Sequence, residues 1–105
     1  MIELINHPSH YQKDGRKECI VEMEEKYGAE ITAVFCLTNA VKYIYRAGEK
    51  FGESAMKDLS KAKWYFDYTN MLIDNYGILA FNGTLIENLE LYIDVKEMLE
   101  SHELQ

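Results

Sequence analysis

Asn39-Ala40-Val41-Lys42-Tyr43-Ile44-Tyr45-Arg46-Ala47-Gly48 and, after a short connector, Ser54-Ala55-Met56-Lys57-Asp58-Leu59-Ser60-Lys61-Ala62-Lys63-Trp64-Tyr65-Phe66-Asp67-Tyr68 decide the fold. In the first stretch Asn39, Lys42, Tyr43 and Arg46 recur at i, i+3, i+4 and i+7; in the second, Asp58, Lys61, Tyr65 and Tyr68 climb in similar three- and four-residue steps. With 3.6 residues per turn, each set lies on one face of a helix. Each polar stripe runs beside an apolar one, which separates it from an ordinary solvent face. Lys42, Arg46, Lys61, Asn39, Tyr43, Tyr65 and Asp58 could together line a pocket for a small anion such as a nucleotide phosphate.

Working outward, four helices account for the chain. The first is expected from about Arg16 to Tyr27, closed by Gly28. Ile20, Met23, Glu24 and Tyr27 form one face; Glu18, Glu22 and Glu25 form another. The second runs from about Ile31 to Ala47 with Val34, Leu37, Val41, Ile44 and Tyr45 inward, and Gly48 ends it. Ser54 is a candidate N-cap for a third helix reaching about Asn75, with Gly77 beyond. Its buried stripe would be Leu59, Ala62, Phe66 and Ile73, flanked by Trp64 and Leu72. Asp58 falls in its first turn, where the helix dipole favours an acid.

Tyr76 to Gly83 reads as a packed connector, and Thr84-Leu85-Ile86-Glu87 is a capping box that starts a fourth helix. That helix carries Leu85, Leu89, Tyr92 and Leu99 on one side and Glu90, Asp94 and Glu97 on the other. The segment through Lys17 reads as an ordered loop. The expected class is all-α, a small helical bundle forming one domain over residues 1–105.

Bulk properties narrow the function. The 105 residues are 48% apolar, enough for one core. No run approaches the roughly 18 to 20 apolar residues that span a bilayer, and the N-terminus lacks the pattern of a secretory signal. A cytoplasmic protein without a membrane partner is expected. Cys19 and Cys36 make no metal pair by spacing, and buried free thiols are the preferred reading. The formal charge of −7 is unevenly spread. Residues 1–63 hold ten Lys/Arg and ten Asp/Glu; residues 64–105 hold one Lys and eight acids. General nucleic-acid binding requires a broad basic field, which this chain lacks. A local cation cluster can still hold one phosphate group.

Three constellations carry chemistry. His7-Pro8-Ser9-His10-Tyr11 places two imidazoles on a stiffened loop, suited to substrate contact or proton transfer, or to bonding loop carbonyls. Glu18, Glu22 and Glu25 could hold Mg²⁺ if a facing helix added oxygens, but a solvated face is the simpler reading. The paired stripes bring Arg46 close to Gly48, Lys50 and Gly52. Arg grips phosphate with parallel hydrogen bonds, Lys acts as a mobile charge, and Tyr43, Tyr65 and Trp64 could stack on a base. The competing reading is a set of salt bridges from Asp58 to Lys42 or Arg46, surrounded by tyrosines that close the core. There is no Gly-x-x-x-x-Gly-Lys-Ser/Thr loop and no Gly-x-Gly-x-x-Gly.

His7-Pro8-Ser9-His10-Tyr11, Glu18-Cys19-Ile20, the run from Phe35 to Gly48, and Asp58-Leu59-Ser60-Lys61-Ala62-Lys63-Trp64-Tyr65 occur in the order found in a known family. Over about residues 5–70 the chain resembles the small phage and prophage domain of unknown function that also forms part of the P-loop-lacking nucleotide kinase of short-tailed coliphages. Thr38, Tyr45 and Val21 depart from that pattern, standing where Gly, Trp and an acid are usual. The resemblance implies a phage-encoded nucleotide-binding protein, extending to a nucleoside monophosphate kinase-like phosphotransferase, in the host cytoplasm. It implies homo-oligomers, and Mg²⁺ would accompany a nucleotide.

The implied site comprises His7, His10 and Asp58 as catalytic groups, with Tyr11, Asn39, Lys42, Arg46 and Lys61 on the ligand; the stripes add Tyr43 and Tyr65. Two alternatives remain. One is a metal-dependent nucleotide pyrophosphohydrolase using Glu18, Glu22 and Glu25. The other is a non-catalytic interaction or inhibitor protein whose acidic C-terminal helix, residues 84–105, meets a basic host factor.

Overall fold

A computed structural model describes residues 18–77 and 89–103. Among them the chain forms four helices: α1 (Cys19–Tyr27), α2 (Ala29–Gly48), α3 (Gly52–Tyr76) and α4 (Leu89–Glu103). No strand occurs among the described residues, and the all-α bundle follows the periodicity. The segment through Lys17, the connector from residue 78 and the capping box at Thr84–Glu87 lie outside the described residues.

α2 and α3 form a long antiparallel hairpin and make the largest helix pairing; α1 packs on α2, and α4 packs on both. Size at the seam explains why the hairpin closes. Ala33, Ala40 and Ala47 recur every seven residues on α2 and are almost completely buried, as is Ala62 on α3. Small side chains let the two backbones approach, while Leu37, Ile44, Met71 and Leu72 fill the remaining volume. A buried Leu of this kind contributes about 1.5–3 kcal/mol through removal from water.

The inward face of α2 is rotated from the expectation. Tyr45 lies outside, whereas Thr32 and Cys36 are fully buried. Val34 and Val41 are only half-buried. On α3 the deeply buried positions are Asp58, Ala62, Tyr68, Thr69, Met71 and Leu72, while Leu59, Phe66 and Ile73 lie at the margin. The buried hydroxyls remain satisfied: Thr32 donates to the Gly28 carbonyl at 2.9 Å and Thr69 to the Tyr65 carbonyl at 3.1 Å.

Helix ends correct two further expectations. α3 begins at Gly52, with Phe51 at the N-cap position and no side-chain cap. Ser54 is therefore inside the first turn, and Asp58 lies beyond the reach of a terminal dipole. Gly28 and Gly77 do close α1 and α3, at φ 96° and 79°. Of the two thiols, Cys36 is buried but Cys19 is exposed. Burial pushes Cys36 up to about 12, so it stays a protonated, unreactive thiol.

α1 packs Ile20 into the core and is tied to α3 by one carboxylate. Glu24 accepts hydrogen bonds from the Tyr68 hydroxyl at 2.9 Å and the Tyr76 hydroxyl at 2.7 Å, both from α3. α4 buries Val95 and Leu99, and its Tyr92 donates to Asn70 at 2.6 Å. Glu90, Asp94 and Glu97 face outward as the spacing predicts.

Candidate functional site

The site forms where the last two turns of α2 and the first three turns of α3 meet around the connecting turn. Asp58 is its centre, with only 2% of its side chain exposed. Lys50, from the turn, donates to its Oδ2 at 2.6 Å. Arg46 Nε lies 4.0 Å from the same oxygen, and Lys61 Nζ lies 3.9 Å from Oδ1. The Lys50 hydrogen bond holds the Asp58 carboxyl below the usual carboxylate range against the opposing effect of burial, with further help from Arg46 and Lys61. Asp58 is ionised, inward-facing and paired. Its geometry is that of an anchor for cations.

Tyr43 is the second organising group. Lys42 Nζ lies 4.7 Å from the Tyr43 ring centroid, Lys61 Nζ 5.3 Å and Arg46 Cζ 5.5 Å. These distances are within the range where the ring's negative face attracts a cation. Tyr65 of α3 lies nearly parallel to Tyr43, with centroids 6.0 Å apart and 9° between planes. It also makes edge contacts with Phe35 and Trp64, and Trp64 stacks on Tyr68. Tyr43, Tyr65 and Trp64 are thus engaged with one another or with cations.

The stripes therefore converge in part. Lys42, Tyr43, Arg46, Asp58, Lys61 and Tyr65 come together. Asn39 continues the α2 stripe, but its amide donates to the Phe35 carbonyl of its own helix at 2.9 Å. His7, His10 and Tyr11 lie outside the described residues. Lys50, the loop cation that the sequence places after Arg46, proves to be the main partner of Asp58. It belongs to neither helix, so helical spacing gives no sign of that bond.

The salt-bridge alternative is realised for one carboxylate. Asp58 pairs chiefly with Lys50, more distantly with Lys61 and Arg46, and not with Lys42. Among the described residues, Asp58 is the one acid in ion-pair contact with Lys42, Arg46, Lys50 or Lys61. Four cations thus gather about one buried carboxylate and the Tyr43 ring, with Glu49 and Glu53 also in the connecting turn and the first turn of α3. Arg46 and Lys61 keep about half of their side chains exposed, at 48% and 55%. A solvent-borne anion can reach them.

The acidic stripe does not gather. Glu18 is buried whereas Glu22 and Glu25 are exposed. No group of three or more His, Cys, Asp or Glu among the described residues is arranged to hold a metal. No helix among them is long and apolar enough to cross a membrane.

Comparison with known proteins bears out the resemblance to a phage-borne family. Residues 5–67 match the family model described as a protein of unknown function, DUF3310. The chain is also similar to the "Gene 1.7 protein" of Enterobacteria phage T3, 37% identical over 81 residues. That alignment covers 76% of this chain and 47% of the relative, so the chain spans about half the relative's length. No solved structure matches it.

Proposed function

The chain belongs to the family of unknown function DUF3310, and from that footing we propose that it is a phage protein that binds a nucleotide or a related phosphorylated small molecule at the α2–α3 corner. One observation carries this: Lys42, Arg46, Lys50 and Lys61 converge from two helices and a turn, and one buried carboxylate offsets only part of their charge. Phosphate is the metabolite group that such an arrangement suits, because Arg and Lys supply charge-assisted hydrogen bonds in several directions. Neutralising phosphate charge is also most of what phosphoryl transfer asks of a protein, so a kinase-like reaction fits the same site. Action in the host cytoplasm and assembly into homo-oligomers are part of the proposal; sedimentation velocity measures the second.

Calorimetric titration with nucleoside mono-, di- and triphosphates, with and without Mg²⁺, tests the binding. Lys42→Ala and Arg46→Ala should abolish it while helix content and cooperative melting persist, since both side chains are largely outside the core. If both variants bind as the parent does, the corner is not the site. If both unfold, the stripes are structural.

A further inference from the structure

We propose that α1 is a hinged strap: it turns on Gly28, is latched to α3 by the Glu24 carboxylate, and covers the Cys36 face of α2 when shut. It lies at the end of the α2–α3 hairpin remote from the cation corner, where α2 begins and α3 ends.

Gly28 is the whole connection between the two helices, serving as C-cap of α1 and N-cap of α2. Its N–H donates to the Glu24 carbonyl of α1 at 3.0 Å. Its carbonyl accepts from the amide and the hydroxyl of Thr32 in α2, at 3.3 and 2.9 Å. The amide thus belongs to one helix and the carbonyl to the other. Rotation about φ and ψ between them redirects α1 without breaking any of these bonds. Gly28 is exposed, and nothing lies within 4 Å of where a Cβ would stand, so the pivot is unobstructed. Glycine moves between both signs of φ at little steric cost.

The seat of α1 is shallow. Of its nine residues Ile20 is buried and Val21 lies at the core margin, and the N-cap Glu18 is buried as well. Tyr27, beside the hinge, is 56% exposed. Nine residues are too few to hold a helix in water without packing, so α1 loses its helix on leaving. The latch supplies what the seat lacks. Glu24 accepts from Tyr68 at 2.9 Å through one oxygen and from Tyr76 at 2.7 Å through the other. Such bonds to a carboxylate are stronger than neutral ones. Cys36 is fully buried and lies close enough to Glu24 and Tyr68 for their charges to act on one another. Its thiol stays protonated while the strap is shut and becomes reactive when solvent reaches it.

The test is alkylation of Cys36 by iodoacetamide in the full chain, with Cys19→Ser removing the exposed thiol, alongside amide hydrogen exchange of α1. Strap opening uncovers little surface, so labelling at low urea should be nearly independent of urea, whereas global unfolding is not. Glu24→Ala should speed both Cys36 labelling and exchange of the Met23–Gly28 amides by at least about tenfold. Tyr76→Phe, at an exposed position, cuts one of the two bonds and should raise both rates less; it takes over where Glu24→Ala fails to fold. Tyr92→Phe removes the α4 bond to Asn70 and lowers global stability. That bond persists when α1 alone has left, so Cys36 labelling at low urea should stay within about twofold of the parent.

Labelling that rises with urea in step with global unfolding would overturn the strap. Parent-like rates in Glu24→Ala and Tyr76→Phe would overturn the latch. Equal acceleration by Tyr92→Phe would reduce the effect to general loss of stability and overturn both. None of these readouts involves a nucleotide, so they stand or fall apart from the anion site.

Discussion

Asp58 is the residue on which the corner turns. A carboxylate in the second turn of a helix, almost fully buried, would be unfavourable without partners. Lys50 supplies a short charge-assisted hydrogen bond, and Arg46 and Lys61 add weaker contacts. Asp58→Asn should therefore lower the melting temperature at neutral pH. The sign of its pH dependence follows from the depressed carboxyl. The stabilisation is present above the unfolded value of about 4 and is lost as pH falls through the folded value. Melting curves of parent and variant should consequently converge as the solution is acidified below about pH 4. A constant offset down to pH 2 would show that the carboxylate charge is not what matters. The pairing of Asp58 with Arg46 was legible in the paired stripes; its main bond to Lys50 was not, because that partner comes from the turn and turns carry no periodicity.

At the scale of the elements, the helices were legible in their number, order and approximate ends, and their rotation was not. Sequence pattern weighs apolarity, so Tyr45 looked like core and Thr32 did not. The seam between α2 and α3 is chosen by size as well: alanines at 33, 40 and 47 permit close approach, and a tyrosine there would not fit. Leu72→Ala removes a fully buried side chain from this seam and should destabilise the protein by about 2–5 kcal/mol in denaturant unfolding.

The tie between α1 and α3 has its own signature. Burial raises the Tyr68 phenol and the Glu24 carboxylate raises it further; for Tyr76 the hydrogen bond to Glu24 is the leading cause. Groups with raised folded values bind protons more tightly in the native state. Their stabilisation is complete below the unfolded value of about 10 and is lost as pH rises through the folded value. Tyr68→Phe with Tyr76→Phe should flatten the loss of stability above about pH 10. An unchanged alkaline slope would contradict that attribution.

At the scale of the whole molecule, charge is segregated against the net value. The chain carries −7 overall, yet its four converging cations sit at one end of the α2–α3 hairpin while α4 presents Glu90, Asp94 and Glu97 outward. The acidic helix also belongs to the core through Val95 and Leu99. Removing it would uncover part of that core, so its surface is best probed by charge alone. Glu90→Gln, Asp94→Gln and Glu97→Gln together should leave stability within about 0.5 kcal/mol per site, because surface changes rarely do more.

The central claim, that the corner holds an anionic metabolite, is tested most directly by a thermal-shift series with nucleoside triphosphate on the parent chain and on Arg46→Ala. At 100 times its dissociation constant a bound ligand stabilises by about 2.7 kcal/mol, so the parent should melt several degrees higher with ligand and the variant should not move. No shift of the parent at any nucleotide concentration, or an equal shift in Arg46→Ala, would contradict the account.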